Sequence, residues 1–249
     1  MLPIRDRLRT RSVPYINYLI LAVNIFVFIW ERMMIGLGEH PMRLLDDYGL
    51  VPRAFLHAPL ENGLSIFSRM FMHDPSGWYH IGGNMLYLWI FGDNVEDAMG
   101  HARYALFYLL SGVAAAAAQV LIDPTSTVPM VGASGAIAGV LAAYGSLYPR
   151  SPITVLNPVP LLWLFFGLFF ELPAWMVIAL FFVVNVMEAY LGLLSGVHGG
   201  VAVFAHLGGF VAGLFLVRLF VAQKLRRGYD AWSGFRPPRR RTPQGPWDW

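Results

Sequence analysis

The sequence contains no cysteine, and only 13% of its 249 residues are charged, about half the share that is usual in soluble proteins. The absence of cysteine excludes disulfides, thiolate metal sites and a cysteine nucleophile. The shortage of charge, together with a hydrophobic share of 57%, indicates a membrane protein. Any chemistry must therefore come from serine, histidine, asparagine or acidic side chains.

Lysine is almost absent as well. Lys224 is the one lysine, and the other 17 basic residues are arginines. The net charge of +3 is small and the basic residues are scattered along the chain, so we expect no nucleic-acid partner.

Six apolar segments predict an all-α membrane protein built as a six-transmembrane-helix bundle. The segments are residues 15–30, 80–91 (extending toward 98), 104–122, 133–148, 173–190 and 201–222. Residues 31–79 are too polar to span and predict a long extracytoplasmic loop one with short interfacial helices. The stretch 153–171 is expected at the membrane surface, or folded back in an extended form.

The distribution of arginine predicts the orientation in the membrane. Arginines dominate both termini, whereas acidic residues outnumber them in loop one, so the positive-inside rule places both termini in the cytoplasm. We expect a basic N-terminus (1–14), a six-helix domain (15–222) and a disordered Arg/Pro-rich tail (223–249). The compact size and the lack of an organelle presequence favour the bacterial cytoplasmic membrane.

Four polar residues fall within or at the ends of the predicted spans, and a strongly polar group in the middle of such a helix costs roughly 2.5 kcal/mol or more. Ser134 begins span four, His206 lies in span six, and His80 and Asn84 open span two. Spans two, four and six all begin on the extracytoplasmic side. These four side chains should therefore lie at the same end of the bundle and define a candidate site.

Glycine spacing predicts which helices meet at this site. Two glycine pairs have the spacing that lets helix backbones approach closely, namely Gly135 with Gly139 and Gly209 with Gly213. Packing these faces together would bring the hydroxyl of Ser134 within hydrogen-bond reach of the imidazole of His206. Span four has only about 14 residues, roughly 21 Å of helix, so Ser134 should lie below the outer membrane surface.

A serine beside a histidine is sufficient for nucleophilic catalysis, because the imidazole takes the hydroxyl proton and returns it to a leaving amine. Acidic residues at matching depth are lacking, except for Glu188 near the outer end of span five, so we predict a dyad without an orienting acid. Oxyanion donors would be the backbone N–H of Ser134 and the side chains of His80 and Asn84. Gly132 beside the serine would keep this backbone accessible.

These motifs resemble those of the rhomboid family of intramembrane serine proteases. They are HIGGN with His80 and Asn84, GDNVE ending in Glu96, GASG around Ser134, and AHLGGFVAG around His206, and the similarity covers about residues 11–222. The resemblance implies that Ser134 is the nucleophile and His206 the general base and acid. It further implies oxyanion roles for His80 and Asn84, and a structural role for Glu96.

The family cleaves transmembrane segments of other membrane proteins without a cofactor, so the resemblance implies membrane-protein substrates and no cofactor or metal. Two positions depart from the family pattern. Ala138 stands one helical turn after the serine, where some members have an aromatic residue that stacks on the histidine. Leu64 and Ser65 stand where some members have a Trp-Arg pair.

Two other functions remain open at this stage. A catalytically inactive relative could bind membrane helices as a chaperone or adaptor, although such proteins typically lack the serine or the histidine. A small transporter could also use polar residues at membrane depth, but transporters usually consist of repeated halves. Here each polar motif occurs once.

Overall fold

The computed structural model describes residues 2–75, 77–157, 163, 167–195 and 203–221, with side chains given as far as Met187 in the segment that ends at Ser195. The tail predicted to be disordered, residues 223–249, lies outside this part of the chain.

The described chain is mostly helical. Six short elements and six longer helices follow one another in the described residues, in the order β1 (Leu2–Asp6), α1 (Tyr15–Gly36), α2 (Pro41–Tyr48), α3 (Pro52–His57), α4 (Ser65–Ser68), α5 (Trp78–Met99), α6 (His101–Ile122), α7 (Ser134–Leu147), β2 (Pro152–Leu156), β3 (Phe169–Pro173), α8 (Ala174–Ser195) and α9 (Val203–Phe220). The small helices α2, α3 and α4 occupy loop one.

Each of the six apolar segments forms a helix, α1 and α5 to α9. Three of these helices, α1, α6 and α9, are long and apolar enough to cross a membrane by themselves. α7 and the first part of α8 are shorter apolar helices. The chain is therefore a membrane protein whose described residues contain three candidate spanning helices, and the count of six spans stays a prediction.

The expectation of an exclusively helical fold needs one correction, because the described chain also contains a three-stranded antiparallel sheet in the order β1-β2-β3. β-branched residues favour the extended chain in β2, where Ile153 and Val155 point into the core and are fully buried. The pairing of β2 with β3 confirms that the ends of 153–171 fold back in an extended form. β1 extends this sheet from within the N-terminal segment 1–14.

Asp6 fastens the N-terminal strand to the helices. Its Oδ2 atom accepts hydrogen bonds from the hydroxyl of Tyr144, at 2.8 Å, and from the side-chain amide of Asn94, at 2.7 Å. Burial raises the pKa of Asp6 to about 7, since a charged carboxylate is poorly solvated there. The sheet is thus tied to the end of α7 opposite Ser134.

Glu96 caps the first helix. Its carboxylate is fully buried on α5 and accepts the backbone N–H groups of Ile16, at 3.0 Å, and Asn17, at 2.7 Å. These N–H groups belong to the first turn of α1 and have no partner within the helix. Glu96 therefore joins α1 to α5, in keeping with the structural role that the resemblance implies.

Candidate functional site

The two glycine pairs bring α7 and α9 into direct backbone contact. A methyl group on Gly209 would overlap the carbonyl group of Gly135, and one on Gly213 would lie 2.7 Å from the Cα atom of Gly139. No side chain larger than hydrogen fits at either position without moving a helix. The sequence prediction of a close α7–α9 contact is confirmed.

This contact sets the region of Ser134 beside that of His206. A methyl group on Gly135 would lie 3.5 Å from the carbonyl oxygen of Ala205. Ser134 directly precedes Gly135, and His206 directly follows Ala205. Ser134 is also the first residue of α7, so its backbone N–H is one of those that a helix leaves without an internal partner.

Gly132 lies between loop one and His80, where a side chain would not fit. Its N–H donates to the backbone carbonyl of Arg69 at 2.8 Å, so this N–H is already occupied and does not serve an oxyanion. The residue has a φ of +113°, a conformation that favours glycine. A side chain here would also lie 2.9 Å from Nε2 of His80, so glycine is needed to leave the site open.

The position that a methyl group on Gly132 would occupy also locates His80 relative to Ser134. A methyl group on Gly132 would meet both Nε2 of His80, at 2.9 Å, and Oγ of Ser134, at 3.5 Å. Nδ1 of His80 accepts the backbone N–H of Asp74 at 3.2 Å. A neutral imidazole that accepts at Nδ1 carries its proton on Nε2, so His80 presents an N–H donor on the side of the ring that faces the serine.

Asn84 lies one turn further along α5 and is buried. One of its amide hydrogens is donated to the backbone carbonyl of His80 at 3.0 Å. The side-chain amide has a second N–H. The structure thus places His80 and Asn84 on one face of α5, as the four-residue spacing predicts.

His206 is 4% exposed and contacts α8. The side chain of Glu188, the acidic residue expected nearest this depth, lies outside the described part of the chain. The Nδ1 atom of His206 lies 2.5 Å from Oδ1 of Asn185. Its ring lies 5.8 Å from the ring of Phe181, centroid to centroid, at an angle of 46°. The aromatic contact that Ala138 of α7 does not provide therefore comes from α8.

Loop one contacts the site through His73, whose ring lies beside that of His80. The backbone N–H of His73 donates to Glu31 of α1 at 3.0 Å, and the ring of His73 lies 5.2 Å from that of His80. Burial, followed by the proximity of His80, lowers the pKa of His73 to about 3, so this ring is neutral at physiological pH. A neutral ring beside His80 leaves His80 without a neighbouring positive charge on this side.

Arg69 is a buried cation that the sequence analysis counted only as a loop-one arginine. It is 1% exposed, and its guanidinium donates to the backbone carbonyl of Gly112 in α6. Burial lowers the pKa of Arg69 to about 10, which still leaves it charged at neutral pH. Its backbone carbonyl holds Gly132, so Arg69 joins loop one both to α6 and to the segment before Ser134.

Sequence reasoning also missed Asn185 and Phe181. The sequence does contain a signal for Asn185, because an amide in the middle of an apolar span needs a partner just as a histidine does. The predicted dyad allowed for an orienting group only among acidic residues. Phe181 carries no such signal, because span five contains several aromatic residues that are equivalent in sequence.

These observations define a mostly helical membrane protein with a candidate site that contains one serine, two histidines and two asparagines. The family model of the rhomboid domain matches residues 61–223. The chain belongs to the rhomboid family.

Curated relatives agree with this assignment. The chain is 32% identical over 206 residues to Rhomboid-like protein 11, chloroplastic, of Arabidopsis thaliana, covering 80% of this chain and 65% of the relative. It is 29% identical over 150 residues to Rhomboid protein 1, mitochondrial, of Saccharomyces cerevisiae, covering 57% and 40%. It is also 29% identical over 130 residues to Rhomboid protease GluP of Bacillus subtilis, covering 52% and 24%.

The chain thus spans less than two thirds of the length of each of these relatives. Their names place them in different compartments, mitochondrial and chloroplastic among them. A membrane location follows from the apolar helices and the family. The expected bacterial cytoplasmic membrane is not supported.

Proposed function

We propose that this protein is an intramembrane serine endopeptidase that cleaves transmembrane segments of other membrane proteins. The observation that carries the proposal is the α7–α9 backbone contact at Gly135 and Gly209, which sets the start of α7 beside His206. The name of the Bacillus subtilis relative, a rhomboid protease, supports the same reaction class.

In the proposed reaction, Oγ of Ser134 attacks the carbonyl carbon of the scissile peptide bond while Nε2 of His206 takes the hydroxyl proton. The tetrahedral intermediate then collapses, the C–N bond breaks, and His206 returns the proton to the leaving amine. Water, activated by the same imidazole, hydrolyses the ester on Ser134 and restores the hydroxyl.

The negative oxygen of the tetrahedral intermediate needs hydrogen-bond donors. Two donors are supported by the geometry: the N–H of Ser134 at the start of α7, and Nε2–H of His80, whose protonation follows from its bond to Asp74. Asn84 is the third proposed donor, through the amide hydrogen that does not bind His80. Gly132 is proposed to contribute space rather than a donor.

The membrane arrangement is part of the proposal. We infer that α1 and α5 to α9 all cross the bilayer, with both termini cytoplasmic and loop one on the opposite side. Ser134 then lies below the outer surface, because α7 has only 14 residues. A substrate helix would present its outer end to this site from within the bilayer.

Labelling with a fluorophosphonate probe tests the nucleophile. The purified protein should be labelled and should cleave a helical model substrate, and Ser134→Ala should lose both activities. Ser146→Ala is the matched control, because Ser146 lies on the same helix and donates to the carbonyl of Ala142 instead. This control should keep both activities.

Equal labelling of Ser134→Ala and the parent protein would reject Ser134 as the nucleophile. A folded parent protein that binds the substrate helix but neither cleaves it nor reacts with the probe would favour the inactive helix-binding relative instead. Both results would leave family membership intact.

A further inference from the structure

Asn185 contacts the proposed general base directly, although it lies on a different helix. It is 7% exposed and sits on the side of α8 that faces α9. Its Oδ1 atom is 2.5 Å from Nδ1 of His206, and its Nδ2 atom donates to the backbone carbonyl of Phe181 at 2.7 Å.

These two contacts fix the direction of both hydrogen bonds. A carbonyl oxygen only accepts, so the atom of the Asn185 amide that faces Phe181 must be the NH₂ group. The atom that faces His206 is then the amide oxygen, which also only accepts. Nδ1 of His206 must therefore carry a proton, and in the neutral ring the lone pair lies on Nε2.

We propose that Asn185 is a positioning residue for His206, completing a Ser134–His206–Asn185 arrangement in place of a dyad. This inference rests on the proposed function. Asn185 holds the imidazole in the tautomer whose Nε2 accepts the serine proton, and it holds the ring in one orientation. An orienting asparagine serves the same purpose in cysteine proteases of the papain type, so a carboxylate is not required.

The rest of α8 supports this arrangement. Phe181, one turn before Asn185, covers the ring of His206. Phe182 packs against Phe210 of α9 with ring centroids 4.2 Å apart, which holds the two helices together at this level. The position of the base therefore depends on how α8 lies against α9, and displacing α8 would release His206 from its acceptor.

Within the described chain, two charged or titratable groups interact electrostatically with His206. They are His80 of α5 and Arg69 of loop one. Neither lies on α8. Substitutions at Asn185 leave both groups in place, so a change in pH dependence reports the loss of the Asn185 contact itself.

The test uses the full-length protein in lipid nanodiscs with three substitutions. Asn185→Leu removes the acceptor at similar size, Asn185→Asp keeps an acceptor and adds charge, and Val186→Ala is the control on the exposed side of α8. The readouts are kcat and KM for a helical substrate, the pH profile of kcat/KM, and the ¹⁵N chemical shifts of the His206 ring. The signals of His206 are identified by their loss in His206→Gln.

We expect the parent protein to show a protonated Nδ1 and an unprotonated Nε2 at neutral pH. Asn185→Leu should mix the two tautomers and lower kcat by at least about 10- to 100-fold, the loss seen when the hydrogen-bond partner of a metal-bound histidine is removed, with KM changed less than about twofold. Asn185→Asp should retain more activity and move the acidic limb of the profile to higher pH, because a carboxylate stabilises the imidazolium. Val186→Ala should match the parent.

An unprotonated Nδ1 in the parent protein would overturn the inference, and so would Asn185→Leu with parental kcat and tautomer. Equal losses in Asn185→Leu and Asn185→Asp with unchanged pH profiles would reduce Asn185 to a packing residue, which also rejects it. If Asn185→Leu does not fold, the parental ¹⁵N shifts and Asn185→Asp still decide. Failure of the proposed function is distinct, because it would remove cleavage and probe labelling from the parent while leaving these shifts measurable.

Discussion

Gly209 of α9 packs so closely on Gly135 of α7 that a single methyl group on Gly209 would overlap the carbonyl of Gly135. The two helices that carry the proposed nucleophile and base are therefore in contact through their backbones. Both contacting residues are glycines, so no side chain at this contact could rotate to relieve overlap with an added methyl group.

We predict that Gly209→Ala separates α7 from α9, and with them Ser134 from His206. Activity on a helical substrate should fall at least about 100-fold, since small misplacements of reacting groups have effects of this size. The thermal midpoint of unfolding in detergent should fall as well, because overpacking typically costs about 1–3 kcal/mol.

Gly36→Ala is the matched control for this substitution. Gly36 ends α1 and has nothing within 4 Å of the position of an added methyl group. This variant should keep the parental activity and thermal midpoint. Parental activity in Gly209→Ala would contradict the importance of the α7–α9 contact.

The glycine contact could be predicted from sequence, because it depends on a local repeat within each helix. The four-residue spacing of Gly135 with Gly139 and of Gly209 with Gly213 identifies one face of each helix, and apolar helices without such faces pack less closely. Ser134 and His206 lie at the ends of those faces. Their placement side by side therefore follows from this spacing together with the prediction that both spans begin on the same side of the membrane.

The sheet could not be predicted in the same way. β1 pairs with β2, with Arg5 opposite Thr154, and no local pattern connects segments so far apart in sequence. Asn185 was missed for a related reason, because its contact with His206 depends on the rotation of α8 about its axis. That rotation is set by contacts such as Phe182 with Phe210, which belong to the folded chain.

The attachment of the N-terminal strand should depend on pH through Asp6. The pKa of Asp6 is raised by burial from 3.8 to about 7, so the folded state binds this proton more tightly than the unfolded state does. The stabilisation is fully present below about pH 4 and is lost as the pH rises through 7. The strand should thus be held more firmly at pH 5 than at pH 8.

Hydrogen-exchange protection factors of the β1 and β2 amides, measured at pH 5 and pH 8, check this prediction. Asp6→Asn keeps an acceptor for Tyr144 and Asn94 but does not titrate, so it should reduce the difference between the two pH values. A local measurement is needed, because His73 has the opposite dependence: its lowered pKa makes its contribution disappear as the pH falls below 6.5. Equal pH dependence in Asp6→Asn and the parent protein would count against Asp6.

The proposed orientation in the membrane can be tested cleanly because the chain has no cysteine. Leu60 in loop one is 99% exposed. Arg150 is also exposed and lies just before β2, at the end of the helices that carries the sheet. In intact cells, a membrane-impermeant maleimide should label Leu60→Cys but not Arg150→Cys. After permeabilisation both should be labelled, and the unmodified protein should not be labelled in either condition. Labelling of both variants in intact cells would contradict the proposed topology.

His80 should act as an oxyanion donor. Its Nδ1 accepts the N–H of Asp74, which leaves Nε2–H to donate near Ser134. Because this donor acts on charge that develops in the transition state, His80→Leu should lower kcat by about 100- to 1,000-fold with little change in KM. Asn84→Ala should cause a smaller loss. His57→Leu, an exposed loop-one histidine, should have parental kinetics, and a His80→Leu effect confined to KM would assign His80 to substrate binding instead.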